Sequence, residues 1–100
     1  MVVRQFTGFD WDEGNERKNE KHGVSQSEVE EVFLNTPIFL TRDEQHSQSE
    51  DRFLALGLSH RGRLLHITFT VRGAKVRPIS ARPMSRKERA IYEKASQANS

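Results

Sequence analysis

The chain has 100 residues, of which 34% are hydrophobic, and this is enough to fill the core of one small domain. It contains no cysteine, which excludes disulfide bonds and thiolate metal sites. No apolar run approaches the roughly 20 residues of a membrane-spanning helix, and the first residues lack the apolar run of a signal peptide. We therefore expect a soluble, cytoplasmic protein without a membrane partner.

The charged residues are unevenly distributed along the chain. The net charge is +2, but residues 1–51 carry five basic and twelve acidic side chains, whereas residues 52–100 carry eleven basic and two acidic ones. A basic half of this kind is typical of proteins that bind a phosphate backbone or an acidic protein, although sorted surface charges alone would give the same pattern.

The N-terminal part of the sequence indicates a strand followed by a helix. Residues 2–9 contain apolar side chains that alternate only imperfectly and predict a short first strand. Residues 13–22 form a predicted helix, because Asp12 can cap its N-terminus and Gly23 can end it in the left-handed conformation. This helix has no large apolar residue and gains little stability from burial, so packing against the core does not explain why the chain keeps it.

A second helix is predicted directly after the first. Ser27 and Glu30 match a capping box, and the helix extends to about Asn35. Pro37 ends it, and residues 38–40 begin a strand. The sequence therefore places two short helices before the main strands.

Three strands follow a predicted loop over residues 41–51. They cover residues 52–59, 63–72 and 75–82, and the short turns between them are typical of β-hairpins. In the middle strand, alternate side chains divide into an apolar face, expected in the core, and a polar face. The apolar face contains Leu65, Ile67, Phe69 and Val71, and the polar face contains His66, Thr68, Thr70 and Arg72.

A last helix is predicted near the C-terminus. Ser85 and Glu88 match a second capping box, and the helix covers residues 86–95 with Ile91 and Ala95 on one side.

The predicted elements combine into an α+β fold. It has two short N-terminal helices, an antiparallel meander sheet of three to five strands and a C-terminal helix. We expect a single domain over residues 1–95, followed by a polar, disordered tail over residues 96–100.

A dense group of cations spans the last predicted strand and the start of the last helix. Its members are Arg72, Lys75, Arg77, Arg82, Arg86, Lys87 and Arg89. One guanidinium group can donate two parallel hydrogen bonds to a phosphate, and the N-terminus of the helix adds backbone N–H groups without partners in the helix. This segment can therefore bind a nucleic-acid phosphate. Arg77 and Arg82 lie among apolar strand residues, and partly buried cations need partners. The cations of the helix can equally form an ordinary solvated surface.

The sequence also contains groups for acid–base chemistry. The four histidines lack the spacing that places two metal ligands on one helical face, so we expect neither a metal nor another cofactor. His22, at the end of the predicted first helix, and Asp43, Glu50 and Asp51, in the predicted loop, are the candidate acid–base groups. RNA cleavage needs one group to take the proton of the 2′-hydroxyl, another to protonate the 5′-oxygen, and cations to stabilise the charge between them. A histidine at a helix end is otherwise a surface group that compensates the helix dipole.

Five segments carry a resemblance to a known family. In chain order they are FDWDEGNERKNEKHGVS, EEVF, DEQHSQSEDRFLALG, GRLLHITFTVRG and VRPISARPMSRKERAIYE, which run from Phe9 to Glu93. This succession resembles the BrnT family, the ribonuclease toxins of type II toxin–antitoxin modules, and its most specific part is ISAR followed by the arginine-rich RKER.

The resemblance implies a compact fold similar to that of RelE-type toxins and metal-independent RNA cleavage that inhibits translation. It also implies neutralisation by a cognate ribbon-helix-helix antitoxin of the BrnA type, through which the complex binds operator DNA.

The resemblance, taken with the cation group, also implies site residues. The residues expected to act in catalysis are Lys21, His22, Glu50, Arg77 and Arg82. The residues expected to bind RNA are Arg52, Arg72, Lys75, Arg86 and Arg89. His46, in the predicted loop, matches the family pattern as well.

Three positions depart from the family pattern. Asn19 stands three residues before His22 instead of four, which turns the upstream part of the helix by about 100° relative to the Lys-His pair. Pro78 replaces an apolar strand residue, and because proline cannot donate to the ladder it predicts a strand edge or a β-bulge. Ser49 stands where a glycine is common, which stiffens the loop.

Two other functions stay open from the sequence. The basic surface also suits a nucleic-acid-binding module without catalytic activity, whose affinity would fall steeply with salt. It suits, in addition, a docking protein for an acidic partner. The middle strand has one aromatic residue, Phe69, on its predicted core face, and this argues against a sheet that stacks RNA bases.

Overall fold

A computed structural model of the chain describes residues 6–12, 14, 22–46 and 50–98. Within them, the strands are β1 (Gly8–Phe9), β2 (Phe39–Arg42), β3 (Phe53–Leu58), β4 (Leu64–Arg72) and β5 (Lys75–Pro83). The helices are α1 (Gln26–Leu34) and α2 (Arg86–Ala98), and a 3₁₀ turn covers Glu44–His46. The predicted α+β class is confirmed. None of the described helices is both long and apolar enough to cross a membrane.

The sheet is mixed, so the prediction of a purely antiparallel meander is wrong. The strand order is β1-β5-β4-β3-β2, in which β2 to β5 are antiparallel neighbours as predicted, but β1 pairs with β5 in parallel. Packing holds β1 at this edge, because the ring of Phe9 contacts that of Phe33 with centroids 5.7 Å apart. Of the predicted first strand, Gly8 and Phe9 are in a strand and residues 6 and 7 are not, while residues 2–5 lie outside the described ranges.

The first turn of α1 differs from the predicted one. Ser25 is the N-cap: its Oγ accepts from the Glu28 backbone N–H (3.1 Å), and the Glu28 carboxylate accepts from the Ser25 backbone N–H (3.5 Å). The capping box predicted at Ser27 and Glu30 is wrong, because both residues lie inside the helix. Glu30 instead accepts a hydrogen bond from Trp11 Nε1 (2.9 Å), which ties α1 to the N-terminal segment.

The helix predicted over residues 13–22 lies mostly outside the described residues. Gly14 is helical, and His22 is in a turn. Gly23 has the predicted left-handed conformation, with φ of +69°.

One face of the sheet carries the core. Leu65, Ile67 and Phe69 of β4 are buried there with Val32 of α1, which confirms the predicted apolar face of the middle strand. Gly57 of β3 lets α1 approach the sheet, because a Cβ at this position would lie 2.8 Å from Val32 Cγ1.

The second helix, α2, packs on the opposite face of the sheet. The Tyr92 hydroxyl donates to the carbonyl of Pro37 (2.7 Å), and its ring contacts that of Phe39 with centroids 5.4 Å apart. The helix ends at Ala98, three residues beyond its predicted limit. Ser96 Oγ donates to the carbonyl of Tyr92 (2.8 Å) near this end. A polar part of the sheet face lies beside this helix.

Candidate functional site

Two polar grooves lie side by side on the face of the sheet that carries α2. The Arg82 groove, of about 410 Å³, is lined by Asp43, Gln45, Arg52, Leu54, His66, Thr68, Ile79, Ser80 and Arg82. The Arg77 groove, of about 370 Å³, is lined by Asp12, Gly14, Glu50, Arg52, Arg72, Arg77, Pro78 and Ile79. Because Arg52 and Ile79 line both, the two grooves form one depression over β3, β4 and β5.

A β-bulge in β5 places Arg77 and Arg82 on the same face of the sheet. In a regular strand, side chains alternate between the two faces, so residues five positions apart point in opposite directions. Here the register with β4 passes from Pro78 directly to Ser80, and Ile79 is the extra residue. The bulge that Pro78 predicted is therefore confirmed, and it brings both arginines to the grooves.

Glu88 of α2 holds Arg82 through two parallel hydrogen bonds. Arg82 Nη1 donates to Glu88 Oε1 (2.8 Å), and Nη2 donates to Oε2 (2.9 Å). Glu88 also closes the predicted capping box with Ser85, whose backbone N–H donates to Oε1 (2.8 Å). The hydrogen bonds from Arg82, followed by that from Ser85, lower the pKa of Glu88 to about 2. The last helix thus orients an arginine of the groove.

Two aspartates hold Arg77 in a similar way. Its Nη2 donates to Asp12 Oδ2, and its Nη1 lies 3.5 Å from Asp10 Oδ2. The hydrogen bond to Asp12 raises the pKa of the Arg77 guanidinium. Asp12, predicted as a helix cap, thus pairs with a residue 65 positions away. The prediction that Arg77 and Arg82, as partly buried cations, need partners is confirmed.

A buried histidine, His66, lies in the Arg82 groove. Its Nε2 is 3.6 Å from Glu88 Oε2, and its Nδ1 has no hydrogen-bond partner among the described residues. Burial, and then the charge of Arg82, lower the pKa of His66, while the carboxylates of Glu88 and Asp43 oppose that shift. His66 was not among the predicted site residues. Its place on the polar face of the middle strand was the signal that could have identified it.

A carboxylate, Glu50, lies in the Arg77 groove. It precedes β3, is exposed, and shares the groove with Arg52, Arg72 and Arg77. The neighbouring carboxylate, Asp51, does not line this groove and accepts instead from Arg42 Nη2 (2.9 Å). Glu50 is therefore a carboxylate with access to anything bound between the arginines.

The histidine of the Lys-His-Gly element lines neither groove. His22 is exposed in the turn before α1, next to Gly23, whose carbonyl accepts from Arg63 Nη1 (3.0 Å). Within the described residues, the turn that carries His22 is therefore held by Arg63, which directly precedes β4, and not by an arginine of the grooves.

The other predicted site residues are spread around the grooves or lie outside the described ranges. Lys75 is exposed at the start of β5, opposite Arg72, and Arg86 and Arg89 are exposed on α2. His46 ends the 3₁₀ turn. The described ranges do not include Asn19, Lys21 or Ser49.

Comparison with known proteins identifies the family. No protein of curated function matches the chain significantly. A family model described as the ribonuclease toxin BrnT of type II toxin–antitoxin systems matches residues 11–88, a stretch that includes every residue lining the two grooves. The predicted resemblance is confirmed: the chain belongs to the BrnT family of ribonuclease toxins, which act in type II toxin–antitoxin systems and so have an antitoxin as partner.

Proposed function

We propose that the chain is an endoribonuclease that cleaves RNA without a metal ion, inhibits translation in the cytoplasm and is neutralised by a ribbon-helix-helix antitoxin of the BrnA type. Operator DNA would be bound only through that antitoxin. The α+β sheet with helices on both faces is compatible with a RelE-like toxin fold. The observation that carries the proposal is the joined pair of grooves, in which a carboxylate lies among arginines.

The arginines of the grooves suit RNA phosphates. A guanidinium has five N–H donors, and Arg82 uses three of them on Glu88 and on the carbonyl of Pro83, so two remain for a phosphate. Arg72 is exposed at the end of β4, in the Arg77 groove. With Arg52 shared by both grooves, cations follow the depression along its length, as a bound RNA backbone requires.

The chemistry needs two proton transfers and a stabilised charge. Glu50 takes the proton of the 2′-hydroxyl, the 2′-oxygen bonds to phosphorus, and the bond to the 5′-oxygen breaks. The products are a 2′,3′-cyclic phosphate and a 5′-hydroxyl. Arg77 and Arg82, with Arg72 nearby, stabilise the additional negative charge of the transition state. The family resemblance alone assigns protonation of the 5′-oxygen to His22, with Lys21 as a further cation. Since His22 lines neither groove, this assignment requires the bound RNA to extend from the Arg77 groove to the turn before α1.

The arginine assignment is tested by alanine variants assayed on single-stranded RNA in the presence of a chelator. Wild type should cleave, and Arg77→Ala and Arg82→Ala should each lower the rate by about 10²- to 10³-fold, the loss typical of a removed transition-state contact. Arg61→Ala, an exposed arginine of the β3–β4 turn, removes the same charge away from the grooves and should cleave normally.

Each failure of this assay has a distinct meaning. Cleavage by wild type only after a divalent metal is restored refutes metal independence. Equal rates for wild type and both groove variants refute the arginine assignment. Salt-sensitive binding without any cleavage favours the non-catalytic nucleic-acid-binding module.

The proton-transfer assignment is tested by Glu50→Gln and His22→Ala. The amide keeps the size of Glu50 but cannot take a proton, so cleavage should fall by about 10²- to 10⁴-fold. Initial rates measured from pH 5 to 9 compare the two variants. If His22→Ala lowers the cleavage rate more than Glu50→Gln does, the proton of the 2′-hydroxyl is taken by His22, outside the Arg77 groove, and not by Glu50.

A further inference from the structure

A third groove lies between α2 and the β2 edge of the sheet, and it is apolar. It measures about 330 Å³ and is lined by Phe39, Leu40, Thr41, Leu54, Leu56, His66, Glu88, Ile91 and Ala95. Ile91 is 52% exposed and Leu40 is 38% exposed, although large apolar side chains are usually buried. Leu54 and His66 also line the Arg82 groove, so the apolar groove and the RNA groove are contiguous.

The position of this groove in the fold leaves it open to another chain. Among the described strands, β2 is the last of the sheet on this side, so no described strand pairs with its outer backbone groups. On α2, Ile91 and Ala95 share one side, as predicted from their spacing, and both face the groove. An exposed apolar groove beside an edge strand is typical of an interaction site.

The charges around the groove indicate the chemistry of its occupant. Lys87 and Lys94 stand four residues before and three residues after Ile91, so they lie on the same side of the helix. Both are exposed, and neither forms an ion pair with a described residue. An apolar groove with a cationic rim complements a segment that has apolar side chains flanked by carboxylates. RNA bases and phosphates fit such a groove poorly.

We propose that this apolar groove is the docking site of the antitoxin, which inserts a segment of apolar side chains flanked by carboxylates. The inference rests on the toxin role proposed above, but not on the residues assigned to RNA cleavage. Glu88 lines the groove on one side and holds Arg82 on the other, so the docked segment lies directly beside the RNA groove. Neutralisation then follows from position, because the antitoxin closes one end of that groove.

The test measures antitoxin affinity for matched variants of the full chain. The probe is the antitoxin encoded beside the toxin gene, recognised because its co-expression restores growth. By titration calorimetry, Ile91→Asp should raise Kd by at least about tenfold, since a carboxylate is placed in an apolar contact. Leu34→Asp is the control, because Leu34 is also apolar, helical and 73% exposed but belongs to α1. It should leave Kd unchanged.

A second variant tests the charge of the rim. Lys94→Glu should weaken antitoxin binding, and the difference from wild type should shrink at high salt, because exposed charges are screened. An unchanged Kd for both Ile91→Asp and Lys94→Glu, with melting temperatures equal to wild type, overturns the proposal. A toxin that self-associates without antitoxin, and loses this self-association in Ile91→Asp, would assign the groove to a second copy instead.

RNA cleavage separates this inference from the proposed function. Without antitoxin, Ile91→Asp should cleave RNA like wild type, and with antitoxin it should stay active at concentrations that silence wild type. Failure of wild type to cleave RNA, combined with the expected loss of antitoxin binding in Ile91→Asp, would refute the ribonuclease function while the docking site stands.

Discussion

The cations of the grooves and the cations of α2 differ in how they are held. Carboxylates fix Arg77 and Arg82, whereas Arg86, Lys87 and Arg89 are exposed and form no ion pair with a described residue. A held guanidinium loses little side-chain freedom when a phosphate arrives, and its donors are already oriented. A cation without a partner contributes to RNA binding mainly because it displaces counterions from the RNA backbone. We therefore expect the groove arginines to act through the geometry of their hydrogen bonds and the cations of α2 to act through charge alone.

Among the variants that test this comparison, the largest effect is expected from replacing the groove arginines with lysine. Arg77→Lys and Arg82→Lys keep the charge but lose the planar fork, so RNA cleavage should fall by about 10²-fold in each. The control is Arg86→Lys with Arg89→Lys, which should cleave at the wild-type rate. Full activity in the groove variants would show that charge alone suffices and would remove the distinction between the two groups.

An intermediate effect is expected on stability when the partner of Arg82 is neutralised. The pKa of Glu88 is about 2 in the folded protein, below its ordinary value of 4.5, so its ion pair stabilises the fold fully above pH 4.5 and is lost as pH falls toward 2. Because 38% of the Arg82 side chain is exposed, we expect a contribution of about 2 kcal/mol.

Glu88→Gln should therefore lower the free energy of unfolding at pH 7 by about 2 kcal/mol, and its difference from wild type should vanish between pH 4.5 and 2. Urea denaturation at a series of pH values measures this difference. A constant difference across that window would mean that the ion pair does not stabilise the fold in the way its geometry indicates.

The smallest effect is expected from the free cations of α2. Arg86→Ala combined with Arg89→Ala should weaken RNA binding only a few-fold and lower the slope of log affinity against log salt by about 0.7 for each lost phosphate contact. Fluorescence anisotropy with a 2′-O-methyl RNA, which cannot be cleaved by 2′-attack, gives the slope. A loss as large as that of the groove variants would place α2 inside the catalytic contact.

Local features of this fold were predictable from the sequence. The strands of both hairpins begin and end within one residue of their predicted limits. The capping box of Ser85 and Glu88 is present, and Phe69 is buried in the core. These features depend on residues that are close in sequence, where periodicity and turn residues carry the information.

Overlapping local patterns were harder to separate. Two capping boxes overlap before α1, one at Ser25 and Glu28 and one at Ser27 and Glu30, and both fit the same motif. The structure selects the first, in which Glu28 also binds Arg63 (2.8 Å). That contact joins residues 35 positions apart, so a capping-box motif of four residues cannot predict it.

Contacts between distant segments escaped prediction for the same reason. The parallel pairing of β1 with β5, the partner of Arg77 in the N-terminal segment, and the approach of Glu88 to His66 all depend on how the elements pack. The cations of the site were visible in the sequence, but the carboxylates that orient them were not.

The extra residue in β5 means that the proposed phosphate-binding surface depends on the number of residues between Arg77 and Arg82 as much as on the types of residue present. Deleting Ile79 would leave every charge of the chain in place, yet it would turn Arg82 away from Arg77 and toward the buried side of the sheet. A search for strand arginines at even spacing would overlook this pair, which stands at an odd interval. For this family, insertions and deletions between the two arginines should be far less tolerated than substitutions of the intervening side chains.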